Sequence, residues 1–130
     1  MLVQQFSFGN DKLFIEASVI KIGDDYVVTF GGGEKFHIGA VAVGVPRPSL
    51  KGDDICSSSV SVICLTGHKE DLLARTAALE LSRAFQHIVT VTVGIHIDNA
   101  AAKEISILES KFKFLLQQII EYALSCNKNK

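Results

Sequence analysis

The chain has 130 residues, with 13 basic against 14 acidic side chains for a formal net charge of −1, and 48% of its residues are hydrophobic. That balance describes a chain with a packed core rather than a disordered one, and a length that suits one domain, with a core over residues 10–124 and a polar tail at 125–130. It also excludes the basic footprint of a nucleic-acid binder, and no apolar run approaches the roughly 20 residues that span a bilayer, so neither nucleic acid nor membrane is expected as a partner.

In chain order, Leu13 to Ile22 is rich in β-branched residues and partly alternating, which predicts a strand. It stops at Gly23-Asp24-Asp25, and Tyr26-Val27-Val28-Thr29-Phe30 resumes at once, the signature of a hairpin with a short Gly/Asp loop. Gly31-Gly32-Gly33 then reads as a flexible hairpin tip or a lid, and Ile38 to Val45 as the next strand. Pro46 to Asp54, the only proline-containing stretch, reads as an exposed loop. Ser57 to Leu65 predicts a fourth strand with Val60, Val62 and Cys64 facing one way, Cys64 into the core.

From Thr66 the period changes. Leu73, Ala77, Leu81 and Phe85, joined by Leu72 and Ala84, mark one face of a helix ending near Gln86. Ile88 to Gly94 is a fifth strand, and a long last helix carries Ile105, Leu108, Phe112, Leu115, Leu116, Ile119, Ile120 and Ala123 at helical spacing. The order β-β-β-β-α-β-α predicts an α+β fold: a mainly antiparallel sheet of five or six strands with two helices.

The residues able to carry chemistry gather at three junctions. His37 lies in Phe36-His37-Ile38-Gly39-Ala40, His68 in Thr66-Gly67-His68-Lys69-Glu70-Asp71, and His96 in Gly94-Ile95-His96-Ile97-Asp98-Asn99. Each histidine has a glycine within two residues at the edge of an apolar run, where backbone can approach a ligand closely. Thr66 is placed to cap the helix, and the free N–H groups that follow, with His68 and Lys69, would form an anion cradle. The plainer alternative for that stretch is an ordinary helix start. Asp98, two residues from His96, is placed to orient its imidazole or to bind a sugar hydroxyl. Alternatively, Asp98 and Asn99 simply cap the last helix, without the Glu or Gln three residues later that completes a capping box. His87 reads as a surface loop residue. A zinc site of His37, His68 and His96 would lack any local ligand-pair spacing, so metal is not expected. The basic start and apolar stretch of a secretion signal are missing, and Cys56, Cys64 and Cys126 form no Cys-x-x-Cys pair, which together point to the cytoplasm.

His-Ile-Gly-Ala-Val-Ala-Val, Thr-Gly-His-Lys-Glu-Asp and Gly-Ile-His-Ile-Asp-Asn-Ala, in that order, resemble the prenylated-flavin chaperone family, the type of small accessory protein that accompanies gallate decarboxylase, over roughly residues 10–120. The resemblance implies a small cytoplasmic α+β protein, related in fold to proteasome assembly chaperones. It would bind or deliver prenylated flavin mononucleotide, or flavin mononucleotide, to a decarboxylase apo-enzyme without catalysing a reaction itself. Its cofactor contacts would be His37, Gly39, Thr66, Gly67, His68, Lys69, His96, Asp98 and Asn99. Val41, Val43 and Val93 would line the apolar slot, and Phe36 is the nearest aromatic side chain for ring stacking. A homodimer is expected. Two other readings stay open: an interaction module of the assembly-chaperone type, and a small metal-dependent enzyme using the three motif histidines.

Overall fold

The computed structural model describes residues 1–9, 11–48, 56–65 and 70–128. Among them, six strands run in chain order as β1 (Leu2–Phe8), β2 (Ile15–Ile22), β3 (Asp25–Gly33), β4 (Lys35–Pro48), β5 (Cys56–Cys64) and β6 (Val89–His96). Helix α1 (Glu70–Phe85) precedes β6 and α2 (Ala102–Lys128) follows it. The expected hairpin is present, with Gly23 at φ 61° in the turn between β2 and β3. β1 comes in addition to the order anticipated. Its glutamines and serine dilute the apolar signal, yet Phe6 and Phe8 alternate toward the core opposite Ala17 and Ile15.

The sheet order is β1-β2-β3-β6-β4-β5, and every neighbouring pair is antiparallel except β3 and β6. The fold is therefore α+β with a mostly antiparallel sheet. β3 and β4 are consecutive, but β6 is inserted between them and parts the hairpin. At its tip, His96 is registered against Gly33 of β3 on one side and Lys35 of β4 on the other. The last strand thus ends against the β3–β4 turn.

α1 packs on β4, β5 and β6, while α2 packs on α1, β1 and β2. The core is one cluster between these helices and one face of the sheet. Ile15, Ala17, Val19, Val28, Phe30, Val91 and Val93 meet Ala77, Leu81, Phe85, Phe112, Leu115 and Ile119 there. The small side chains along α1 (Ala74, Ala77 and Ala78) let that helix lie close to the strands. Burying these apolar surfaces supplies the main driving force for the arrangement.

Five expectations change. Gly31-Gly32-Gly33 are not a loose tip: they complete β3 and pair with Gly94, Ile95 and His96. Pro46 and Pro48 lie in β4, opposite Ser58 and Cys56 of β5, while residues 49–55 of the anticipated loop lie outside the described residues. Beyond Gly44, β6 no longer flanks β4, so a missing proline N–H on that side costs no ladder bond. Cys64 shares a sheet face with Val60 and Val62 but stands at the strand end, exposed. On the helices, Leu72 points outward rather than into the core. His87 is half-buried beside the Tyr26 ring, 6.4 Å between centroids.

Candidate functional site

The parted hairpin makes the site. β4 and β6 run in register from Lys35 and Phe36, slip, and resume at Ala40 opposite Val93, so residues 37–39 bulge against Gly94 alone. A bulge bends a strand and redirects its side chains. Here the backbone carbonyl of His37 comes so close to Gly94 that a Cβ there would overlap it. The bulge brings the His37 ring edge-on to that of His96, with centroids 6.2 Å apart and planes at 86°.

His37 Nε2 is buried and lies 3.5 Å from Oε1 of Glu70, an ion-pair distance without hydrogen-bond geometry. Glu70 is the first residue of α1 and only 7% exposed. Gly39 explains how a carboxylate fits there, because a Cβ at position 39 would overlap it. Burying a carboxylate costs several kcal/mol unless it is paired, so Gly39 and His37 together prepare its place.

On the other side, His96 Nε2 is 2.8 Å from Oδ1 of Asp98. A carboxylate only accepts, so Nε2 is the donor of this contact, and in the neutral tautomer that it selects Nδ1 is an acceptor. Glu34, at the hairpin turn, holds this segment at two points: its N–H donates to the His96 carbonyl at 2.7 Å, and its carboxylate accepts from the Asp98 N–H at 3.3 Å. Asn99 follows at φ 54°, a left-handed conformation that asparagine tolerates better than most residues. α2 then begins at Ala102, so Asp98 and Asn99 are not its caps. Glu104 accepts from the Ala101 N–H at 3.1 Å instead, the carboxylate half of a capping box displaced along the chain.

Between the end of β6, the start of α1 and the start of α2 opens a pocket of about 590 Å³. Leu73, Ile95, Ile97, Ala100, Ile105 and Leu108 form its apolar walls, and Glu70, His96, Asn99 and Glu109 its polar points. Volume and lining fall within the range of small-molecule sites. Among the described residues, no three His, Cys, Asp or Glu side chains are placed to hold a metal ion, and no helix is long and apolar enough to cross a membrane.

Of the nine site residues expected from sequence, His96 and Asn99 line this pocket, while His37, Gly39 and Asp98 support it from behind or beside. Thr66, Gly67, His68 and Lys69 lie outside the described residues. Val41, Val43, Val93 and Phe36 do not line it: Val93 is wholly in the core, and Phe36 lies over Gly31, stacked on Phe14 at 6.3 Å. The cofactor contacts expected from sequence included neither Glu70, read only as a helix-start residue and a possible metal carboxylate, nor Glu34. Each stood within three residues of a motif histidine and could be read as a helix-start or turn residue.

The family described as the prenylated flavin chaperone LpdD-like domain matches residues 9–124. Among solved structures, the chain is similar to a chain from a chaperone complex for yeast 20S proteasome assembly, at 17% identity and a TM-score of 0.54, covering 95% of this chain and 99% of that one. At that identity the likeness concerns the fold. No curated protein matches the sequence.

Proposed function

Since the chain belongs to the LpdD-like prenylated flavin chaperone family by its match over residues 9–124, we propose that it binds prenylated flavin mononucleotide, or flavin mononucleotide, in the pocket beside His96 and passes it to a decarboxylase apo-enzyme. The observation that carries this reading is the pocket itself: about 590 Å³ with mainly apolar walls and a few polar points, beside the place where the bulge of β4 meets the end of β6. His96 would hydrogen-bond the ligand, Asp98 fix the orientation of His96, and His37 and Gly39 hold Glu70 at the wall. Asn99 would add an amide contact. Thr66, Gly67, His68 and Lys69 are proposed as the phosphate contacts. The free thiols of Cys56 and Cys126 are in keeping with a cytoplasmic setting.

The test is anaerobic titration with prenylated flavin mononucleotide, followed by transfer to a separately purified apo-decarboxylase. One-to-one binding, weakened about tenfold or more by His96→Ala and by Lys69→Ala, is the expected result. Binding unaffected by either change would remove the site from consideration.

A specific observation favours a homodimer as the working unit. Both helices lie on one face of the sheet, and among the described residues neither reaches the other face. There, two successive rows cross all the strands: Val3, Ile20, Val27, Thr90, Val43 and Ser61, then Gln5, Ser18, Thr29, Thr92, Val41 and Ile63. Neither row contains a charge. The same face supports the second reading, an assembly module of the kind its structural neighbour represents, which would engage a protein without any flavin.

A further inference from the structure

We propose that the outer edge of β1, with the small pocket beside it, docks an extended segment of a partner protein. The segment pairs antiparallel as a seventh strand and brings an apolar side chain and a carboxylate. This surface lies on the other flank of α2 from the His96 pocket and calls for no flavin.

β1 ends the sheet, with β2 as its neighbour on one side. Which of its backbone groups point outward follows from the next ladder. The Gly33 N–H donates to the Phe14 carbonyl at 2.8 Å, so these two form a hydrogen-bonded pair. In an antiparallel ladder such pairs recur at every second residue. Glu16, Ser18 and Ile20 therefore turn their backbone groups to β3. Ala17, Val19 and Lys21 turn theirs to β1, where they meet Phe6, Gln4 and Leu2. Val3, Gln5 and Ser7 are left with N–H and C=O directed away from the sheet. Edge strands are ordinarily guarded by charges, a proline or a bulge. β1 has no charged residue and no proline, and its register runs unbroken from Leu2 opposite Lys21 to Phe8 opposite Ile15. The stretches 49–55 and 66–69, outside the described residues, join on to β4, β5 and the start of α1, toward the opposite edge.

An open edge alone accepts any strand, and the pocket beside it selects among them. Phe8, at the end of β1, and Ser106, Ile107, Ser110, Lys111 and Phe114 of α2 line a pocket of about 350 Å³. Phe114 is exposed, and its ring meets that of Phe8 edge-on at 4.7 Å. Paired residues on neighbouring strands, about 4.8 Å apart, point their side chains to the same face. The residue paired with Phe8 on an added strand thus projects beside Phe8 on the helical side, where an apolar side chain meets the two rings. Lys111 supplies charge at the same end. Its ammonium donates to the Leu13 carbonyl at 2.9 Å and stands 5.8 Å from the centre of the Phe8 ring. That contact leaves N–H donors unused, and among the described residues no carboxylate is within ion-pair distance of it. Lys111 Nζ lies against Gly9, just past Phe8. A carboxylate two residues before the apolar side chain falls on the same face and reaches that point. Main-chain bonds then give affinity, and the pocket and the cation give specificity.

The experiment titrates the full chain with a capped peptide, Glu-Thr-Leu-Thr-Val-Thr, and with its counterpart in which glutamine replaces the glutamate. NMR shifts report binding, amide hydrogen exchange reports pairing, and circular dichroism establishes that each variant is folded. The glutamate peptide should bind and slow exchange at Val3, Gln5 and Ser7. Ser7→Pro removes one outward N–H without touching the ladder to β2, and should weaken binding about tenfold or more. Lys111→Gln can still donate to Leu13; it should lower the affinity of the glutamate peptide to that of the glutamine peptide and leave the latter unchanged. Should Ser7→Pro not fold, the exchange pattern and Lys111→Gln decide alone. No binding at millimolar peptide, binding without protection of the three amides, or equal affinity for the two peptides would overturn the proposal. So would protection of those amides in the free chain that rises with protein concentration, since the edge would then belong to a second copy.

Discussion

Gly39 and Gly94 are both built to let another group come close, yet the group differs, and so does the expected cost of filling the space. At Gly39 the obstacle to a Cβ is the end of the Glu70 side chain, which can swing away. Gly39→Ala should therefore cost only about 1 kcal/mol of stability, the low end for an overpacked site, while moving the carboxylate out of the pocket wall. Chemical denaturation measures the first effect and ligand titration the second; a large stability loss would mean that Glu70 cannot relocate. Glu104 poses a different residue-scale question. The hydrogen bond from Lys12 at 2.6 Å, and then that from the Ala101 N–H, hold its carboxyl below the ordinary glutamate range. Glu104 likewise raises the Lys12 ammonium above its usual value. A depressed carboxyl stabilises the fold above its unfolded pKa, and that contribution disappears as pH falls through the folded value; the raised lysine keeps its share until pH climbs through its own folded value. Glu104→Gln should thus lower Tm slightly at neutral pH, with the difference from wild type closing in acid. Lys12 is exposed and Glu104 only partly buried, so the effect should be small and weaker still at high salt.

The bulge in β4 is the element on which the site depends. Its three residues 37–39 oppose Gly94, and the His37 backbone occupies the space a side chain at 94 would need. Backbone cannot swing aside as Glu70 can. Gly94→Ala should accordingly destabilise the protein by about 3 kcal/mol, and a urea midpoint close to wild type would show that the strands can part there without penalty. That contrast also marks how far the sequence is legible. Long apolar periods are local, so the last helix, the Gly/Asp hairpin and the strand from Val89 could be read directly from the chain. The His96–Asp98 pairing was legible for the same reason, because two residues of extended chain place both on one side. The insertion of β6 between β3 and β4 was not, since no local pattern encodes which strands become neighbours. The convergence of His37 with His96 follows from that insertion. So does the misreading of the triple glycine: its residues look like a loose turn until β6, Phe14 and Phe36 are seen pressing on them. Asp98 and Asn99 look like caps for a similar reason, as nothing near them reveals that α2 begins only at Ala102.

The whole molecule has two unlike sides: a helical side that holds the core and the pocket, and a bare sheet. Six strands about 4.8 Å apart and about 20 Å deep present a face of roughly 500–600 Å², before side-chain relief is counted, which approaches the ~800 Å² per partner of an ordinary stable interface. The two central rows mix valine and isoleucine with threonine and serine and carry no charge, so two copies can meet face to face without opposing like charges. Val43 sits in the middle of this face, half-buried between Thr90 and Ser61. Its neighbours on the opposite side of the sheet, Ala42 and Gly44, belong to the core, so a change at 43 need not disturb packing beneath the helices. Val43→Lys would place a charge against its own symmetry mate in a sheet-to-sheet dimer, with no acidic partner in either row. Sedimentation equilibrium should then show a dimeric wild type and a monomeric variant with nearly unchanged circular dichroism. Because the pocket opens on the helical side, the monomer should still bind flavin. A variant that stays dimeric would move the interface to another surface, and a wild type that is monomeric at micromolar concentration would leave the sheet face to the partner enzyme.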